Sequence, residues 1–214
     1  MPDINFAQLF LAFLVLLFSL TVHESAHALA ASRLGDSTAR LLGRVSLNPV
    51  VHVDPVGTIL FPLLAAIAQV PLIGWAKPVP VNITRLKHPR RDYMLVAAAG
   101  PASNLILAVA AAIVLRWTSV PPSSLSDLDV SAPLAILAAR AVEINVLLAV
   151  FNMVPIPPLD GGSVLAGLLP GRFADGFDYI RPYGFLIIYA LMLTGVLFGY
   201  VVGPPYYLLL SWLR

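Results

Sequence analysis

Residues 4–31 read INFAQLFLAFLVLLFSLTVHESAHALAA. Nothing from Ile4 to Val22 is charged, and the apolar character continues past His27 to Ala31. At about 1.5 Å of rise per residue, such a run crosses a hydrocarbon core of about 30 Å. It predicts a spanning helix with His23, Glu24 and His27 near its end. No basic region precedes the run and no small-residue cleavage pattern follows it, so it reads as a retained helix and not as a removable signal.

Four further apolar runs follow. Pro55 to Ala76 is uncharged but interrupted by Pro62 and Pro71. Tyr93 to Leu115 carries Gly100-Pro101 and Ser103-Asn104. Ala132 to Val154 carries Arg140 and Glu143, three apart on one helical face and able to pair. Pro182 to Leu213 is divided by Gly203-Pro204-Pro205, which predicts one spanning helix and a short terminal one. Of the 214 residues, 59% are hydrophobic and 11% charged. A soluble domain carries about 25% charged residues, so a water-covered globule is excluded, and intrinsic disorder with it. With no cysteine, disulfide scaffolds, thiolate metal sites and cysteine nucleophiles are excluded too. A net charge of +2 is too small to argue for a nucleic-acid partner. The expected fold is an all-α polytopic membrane protein. It has a bundle of about four spanning helices, a re-entrant or interfacial segment near 55–76, and a small β element around 43–47 and 75–81. It forms a single membrane domain over 1–214, with a catalytic core of about 10–165 and C-terminal helices in 182–213.

Charge orients this bundle. Eight of the 13 Lys and Arg residues are Arg33, Arg40, Arg44, Lys77, Arg85, Lys87, Arg90 and Arg91, whereas the stretch from Thr118 to Ser131 has none. Basic loops stay cytoplasmic. The N-terminus is therefore expected outside, the 33–91 and 155–182 regions inside, and the chain in a cell membrane. Run length alone favours a kinked spanning helix for 55–76. Crossing there would place its two basic flanks on opposite faces, so a non-crossing segment is expected.

His23-Glu24-Ser25-Ala26-His27 carries the chemistry. Two histidines four apart share a helical face, so both imidazoles can reach one ion, and neutral imidazoles suit Zn²⁺. A divalent ion lowers the pKa of a water to about 7, and Glu24 can accept its proton. By composition, with four His in the chain and two of them here, a chance match is on the order of one in a thousand. Polar groups within a spanning helix are costly, which argues further against a pair of core histidines. A catalytic zinc needs a third protein ligand. Asp160 is the candidate, in Asn152-Met-Val-Pro155-Ile-Pro157-Pro158-Leu-Asp160-Gly161-Gly162, where prolines stop a helix and glycines allow close approach. The same letters would also make a capping turn. His52 and Asp54 are rival ligands, although Asp54-Pro55 is also turn chemistry. His52 and Asn152 are candidate substrate contacts. If Asp160 is the ligand, an even number of crossings must separate it from His27, which again asks 55–76 not to cross.

These residues resemble the site-2 protease family of intramembrane zinc metalloproteases, in its compact prokaryotic branch. The resemblance lies in His23-Glu24-x-x-His27, Gly100-Pro101-Ala102-Ser103-Asn104, and Asn152 through Asp160-Gly161. It implies one Zn²⁺ per chain held by His23, His27 and Asp160, with Glu24 as general base. It implies membrane-spanning protein substrates, cut in or beside their helices near the cytoplasmic face. With no PDZ-like or nucleotide-sensing domain and no helix ahead of the motif, regulation is expected from membrane partners, if at all. The competing class is a non-proteolytic zinc-binding membrane protein, a transporter or sensor, which would not need Glu24. A substrate helix must unwind before its carbonyls can be attacked, and the extended segment is expected to pair with the small β element.

Overall fold

The computed structural model describes residues 6–60, 64, 76–118 and 131–213. The first apolar run forms helix α1, Phe6–Leu34. It ends at Gly35, whose φ of +119° is closed to most side chains. A Cβ at Gly35 would also lie 2.9 Å from the carbonyl oxygen of Arg85. A short helix α2, Thr38–Leu41, follows. The chain then doubles back along α1, and the Ser25 hydroxyl donates to the Ser46 carbonyl. Ser25 lies nine residues before Leu34, or about 13 Å along the helix, so this return reaches well below the end of α1. A single wide helical turn, Pro55–Leu60, comes next, and the Asp54 carboxylate caps it through the N–H groups of Val56 (2.9 Å) and Gly57 (2.8 Å).

Residues 61–63 and 65–75, most of the expected re-entrant segment, lie outside the described residues. The flanks of that segment meet: Lys77 N–H donates to the His52 carbonyl at 2.9 Å. The chain is thus at the same level at both positions, as a non-crossing segment requires. The expected β element needs correcting. Among the described residues no strand forms: 43–47 is turn and bend, and 76–82 runs without a ladder. Pro78 and Pro80 remove alternate donors, and the Val79 N–H between them goes to a side chain instead.

Helix α3, Pro89–Thr118, begins with proline in its first turn, where no N–H is needed, and Asp92 accepts from His88 N–H (2.8 Å). Helix α4, Ser131–Asn152, stops before the proline cluster. Helices α5 (Asp160–Leu168), α6 (Gly171–Ile180), α7 (Gly184–Leu193) and α8 (Gly203–Leu213) complete the chain. Among the described residues, three stretches are long and apolar enough to cross a membrane: Phe10–Leu34, Pro89–Thr118 and Pro133–Asn152. A fourth is available if Arg181–Leu193 and Leu197–Leu213, bent by 87°, count as one. The break in that pair corrects the expectation placed at Gly203-Pro204-Pro205. It falls at Gly195, with φ of +73°, while the prolines enter the first turn of α8 after a wide turn, Leu197–Val202. Proline is tolerated in a first turn; the left-handed glycine is what redirects the chain.

Small side chains line the helix contacts. Ala28 and Ala31 of α1, Ala108 and Ala112 of α3, and Ala135, Ala139 and Ala149 of α4 are buried. Large apolar residues such as Phe10, Ile106 and Trp117 (85% exposed) face outward. This inverts the order of a soluble protein and suits helices that pack closely while lipid solvates their outer faces. One core cluster joins α3, α4 and α8 through Ala108, Ala112, Val142, Val146 and Leu210.

Candidate metal centre

His23 and His27 lie one helical turn apart on α1 and are buried by α3. Their Nε2 atoms are 3.0 Å apart. Asp160, the first residue of α5, brings Oδ2 to 3.1 Å from His23 Nε2 and 3.3 Å from His27 Nε2. The pairing is made possible by glycine. A Cβ at Gly161 or Gly162 would drive into the backbone of Met153–Val154 or of Ile156–Pro157. A Cβ at Gly100 of α3 would lie 2.5 Å from His27 Cε1 and 2.6 Å from His23 Cε1.

The outer nitrogens decide what the inner ones offer. His23 Nδ1 lies 2.6 Å from Asn104 Oδ1, and His27 Nδ1 lies 2.7 Å from the Val96 carbonyl. Both partners only accept, so each Nδ1 carries the proton and each Nε2 of a neutral imidazole presents a lone pair. Asp160 Oδ2 is buried with no hydrogen-bond donor. Three acceptors thus converge within 4.8 Å of one another, an arrangement that a cation satisfies. Among the described residues this is the one group of three such side chains. Burial pushes the Asp160 carboxyl up, but the two imidazoles beside it outweigh this and hold it down to about 2. Asp160 is therefore anionic at neutral pH.

The profile of peptidase family M50 matches residues 11–127 and 119–195. The chain belongs to peptidase family M50. This is the site-2 protease family, in keeping with the resemblance carried by the three motifs. YwhC of Bacillus subtilis (strain 168) is 38% identical over 191 residues, 89% of this chain and 83% of that one. Rip2 of Mycobacterium tuberculosis (strain ATCC 25618 / H37Rv) is 31% identical over 193 residues, 90% of this chain and 70% of its own. Rip3 of the same strain is 29% identical over 207 residues, but the match spans 42% of its length. All three bear zinc-metalloprotease names. No solved structure matches the chain.

The other positions singled out in this M50 peptidase are placed as follows. Glu24 is half-buried beside the two histidines, and its Oε2 accepts from Val79 N–H at 3.2 Å. His52 is buried away from the three acceptors, with Nε2 bonded to the Ser46 carbonyl (2.9 Å) and near the Ser25 hydroxyl (3.3 Å). Asn152 donates to the Leu148 carbonyl of its own helix at 2.9 Å. Asp54 caps a turn, and His88 is exposed. Asn145 was not singled out by spacing, yet it is buried one step behind Asn104. Its only sequence signal is an amide in an otherwise apolar run.

Proposed function

We propose that the chain is a zinc-dependent intramembrane endopeptidase that cuts membrane proteins in or beside their spanning segments. The observation that carries this is the convergence of His23, His27 and Asp160, buried among apolar helices, with a carboxylate next along α1. These three side chains would hold one zinc ion, which would supply Lewis acidity to the scissile carbonyl and to water. The chain's own groups do the rest. Glu24 accepts a proton from water and hands it to the leaving amine. Asn104 and Val96 keep the Nε2 lone pairs aimed inward. Asn152 and His52 are the proposed substrate contacts, Asn152 through its amide oxygen.

The substrate helix unwinds locally to expose its carbonyl, so helix-weakening residues near the cut favour cleavage. The basic 33–91 region sits at the cytoplasmic face, with the centre close to it and the N-terminus outside. Reconstituted cleavage of a model spanning substrate tests this reading. Glu24→Gln is expected to bind zinc as wild type does and to lose about three orders of magnitude or more in rate. Chelation should stop the wild type. Full activity in Glu24→Gln, or chelator-insensitive cleavage, would reject it in favour of a metal-binding protein without hydrolysis.

A further inference from the structure

Asn104 and Asn145 are buried within the spanning stretches of α3 and α4. An amide in such surroundings is costly unless its polar atoms are paired. The pairing here runs in one direction. Asn145 Nδ2 donates to the Ala141 carbonyl at 2.9 Å, which turns its Oδ1 toward α3. That oxygen accepts from Asn104 Nδ2 at 2.9 Å, and the same nitrogen lies 3.4 Å from the Ser19 carbonyl of α1. Both hydrogens of the Asn104 amide are therefore taken, and its Oδ1 faces His23 Nδ1. Reversing the Asn104 amide would set its oxygen against two other oxygens and its NH₂ against the imidazole N–H. His27 has no such relay, because its Nδ1 partner is a main-chain carbonyl held by α3 itself.

We infer that Asn104 and Asn145 form a positioning pair that fixes the tautomer and ring orientation of His23, and through it the affinity of the centre for a divalent ion. The pair spans three helices, so the ligand geometry is set by how α1, α3 and α4 pack. This rests on the reading of His23, His27 and Asp160 as metal ligands.

The test is competition titration of the purified full chain with Zn²⁺ and Co²⁺ against a chelator, alongside thermal unfolding. Asn104→Leu is expected to weaken binding 10- to 100-fold, the usual cost of losing such a partner. Asn145→Leu should weaken it by a smaller factor, and Asn145→Asp, which keeps an acceptor facing Asn104, should stay nearer wild type. The double variant Asn104→Leu/Asn145→Leu should bind no more weakly than Asn104→Leu alone, since both act through one imidazole. If Asn104→Leu fails to fold, the contrast between Asn145→Asp and Asn145→Leu still decides. Wild-type affinity in every variant would overturn the inference and leave the centre standing. So would losses that follow thermal stability and not the acceptor pattern. A wild-type chain that binds no ion would instead overturn the reading beneath it.

Discussion

His23 and His27 could be paired on spacing alone, because four residues on a helix bring two side chains to one face whatever surrounds them. Gly100 could not be connected to them in this way, since its role appears only when α3 lies against α1. A methyl group at Gly100 has nowhere to go except into the two imidazoles. Gly100→Ala is thus expected to lower zinc content and cleavage together, while far-ultraviolet circular dichroism stays helical. A metal-replete, fully active Gly100→Ala protein would contradict the packing. Asp160 was a candidate with a competing role as a cap, and its local letters serve either use. In the fold, α5 carries the carboxylate to within 3.3 Å of both Nε2 atoms, a placement that local letters do not contain.

At the scale of elements, two polar ties make separate predictions. The first joins the end of α1 to the stretch before α3. Buried Asp36 accepts from the N–H and hydroxyl of Thr38 and from Asn82 N–H (2.6 Å). Burial pushes the Asp36 carboxyl up, but these bonds and the nearby Arg85 outweigh it, so the group sits below its ordinary 3.8. A depressed folded value means that the unfolded chain binds the proton more tightly. The tie therefore contributes in full above about pH 4 and is lost as the pH falls through the folded value. Asp36→Asn should lower the unfolding temperature at neutral pH and flatten its acid decline, measured in detergent from about pH 2 to 6. The second tie is the Arg140–Glu143 pair (2.8 Å), near the middle of the Pro133–Asn152 span. A lone charge at that depth costs about 2.5–3.5 kcal/mol. Glu143→Leu should hence destabilise the protein more than Arg140→Leu/Glu143→Leu does, and equal loss in both would deny the pairing its weight. The pair was legible as two opposite charges three apart. The break at Gly195 was not, because a glycine in an apolar run announces no φ, and two prolines nearby gave a louder but harmless signal.

For the whole molecule, the helices must alternate so that α1 and α5 share a level. Leu34 O accepts from Lys87 N–H (3.2 Å), and Arg90 donates to the Ala166 carbonyl (3.0 and 3.2 Å), which gathers the ends of α1, α3 and α5 on one side. The chain has no cysteine, so single introduced cysteines report position cleanly. Cysteines at Lys87 and Gly171 are expected to label from the cytoplasmic side, and one at Trp117 from the opposite side. Labelling of Lys87 and Gly171 from different sides would break the shared level of the centre. Composition and run length were enough for the class of protein, its spanning helices and the His-Glu-x-x-His pair. These depend on local periodicity and on the cost of charge in lipid, both carried by neighbouring letters. Only tertiary packing could join Asp160 to residues more than a hundred positions away, run the Asn145–Asn104–His23 relay through three helices, and turn the chain at Gly195. Contacts between distant segments depend on how helices meet, and no single stretch of the chain contains that information.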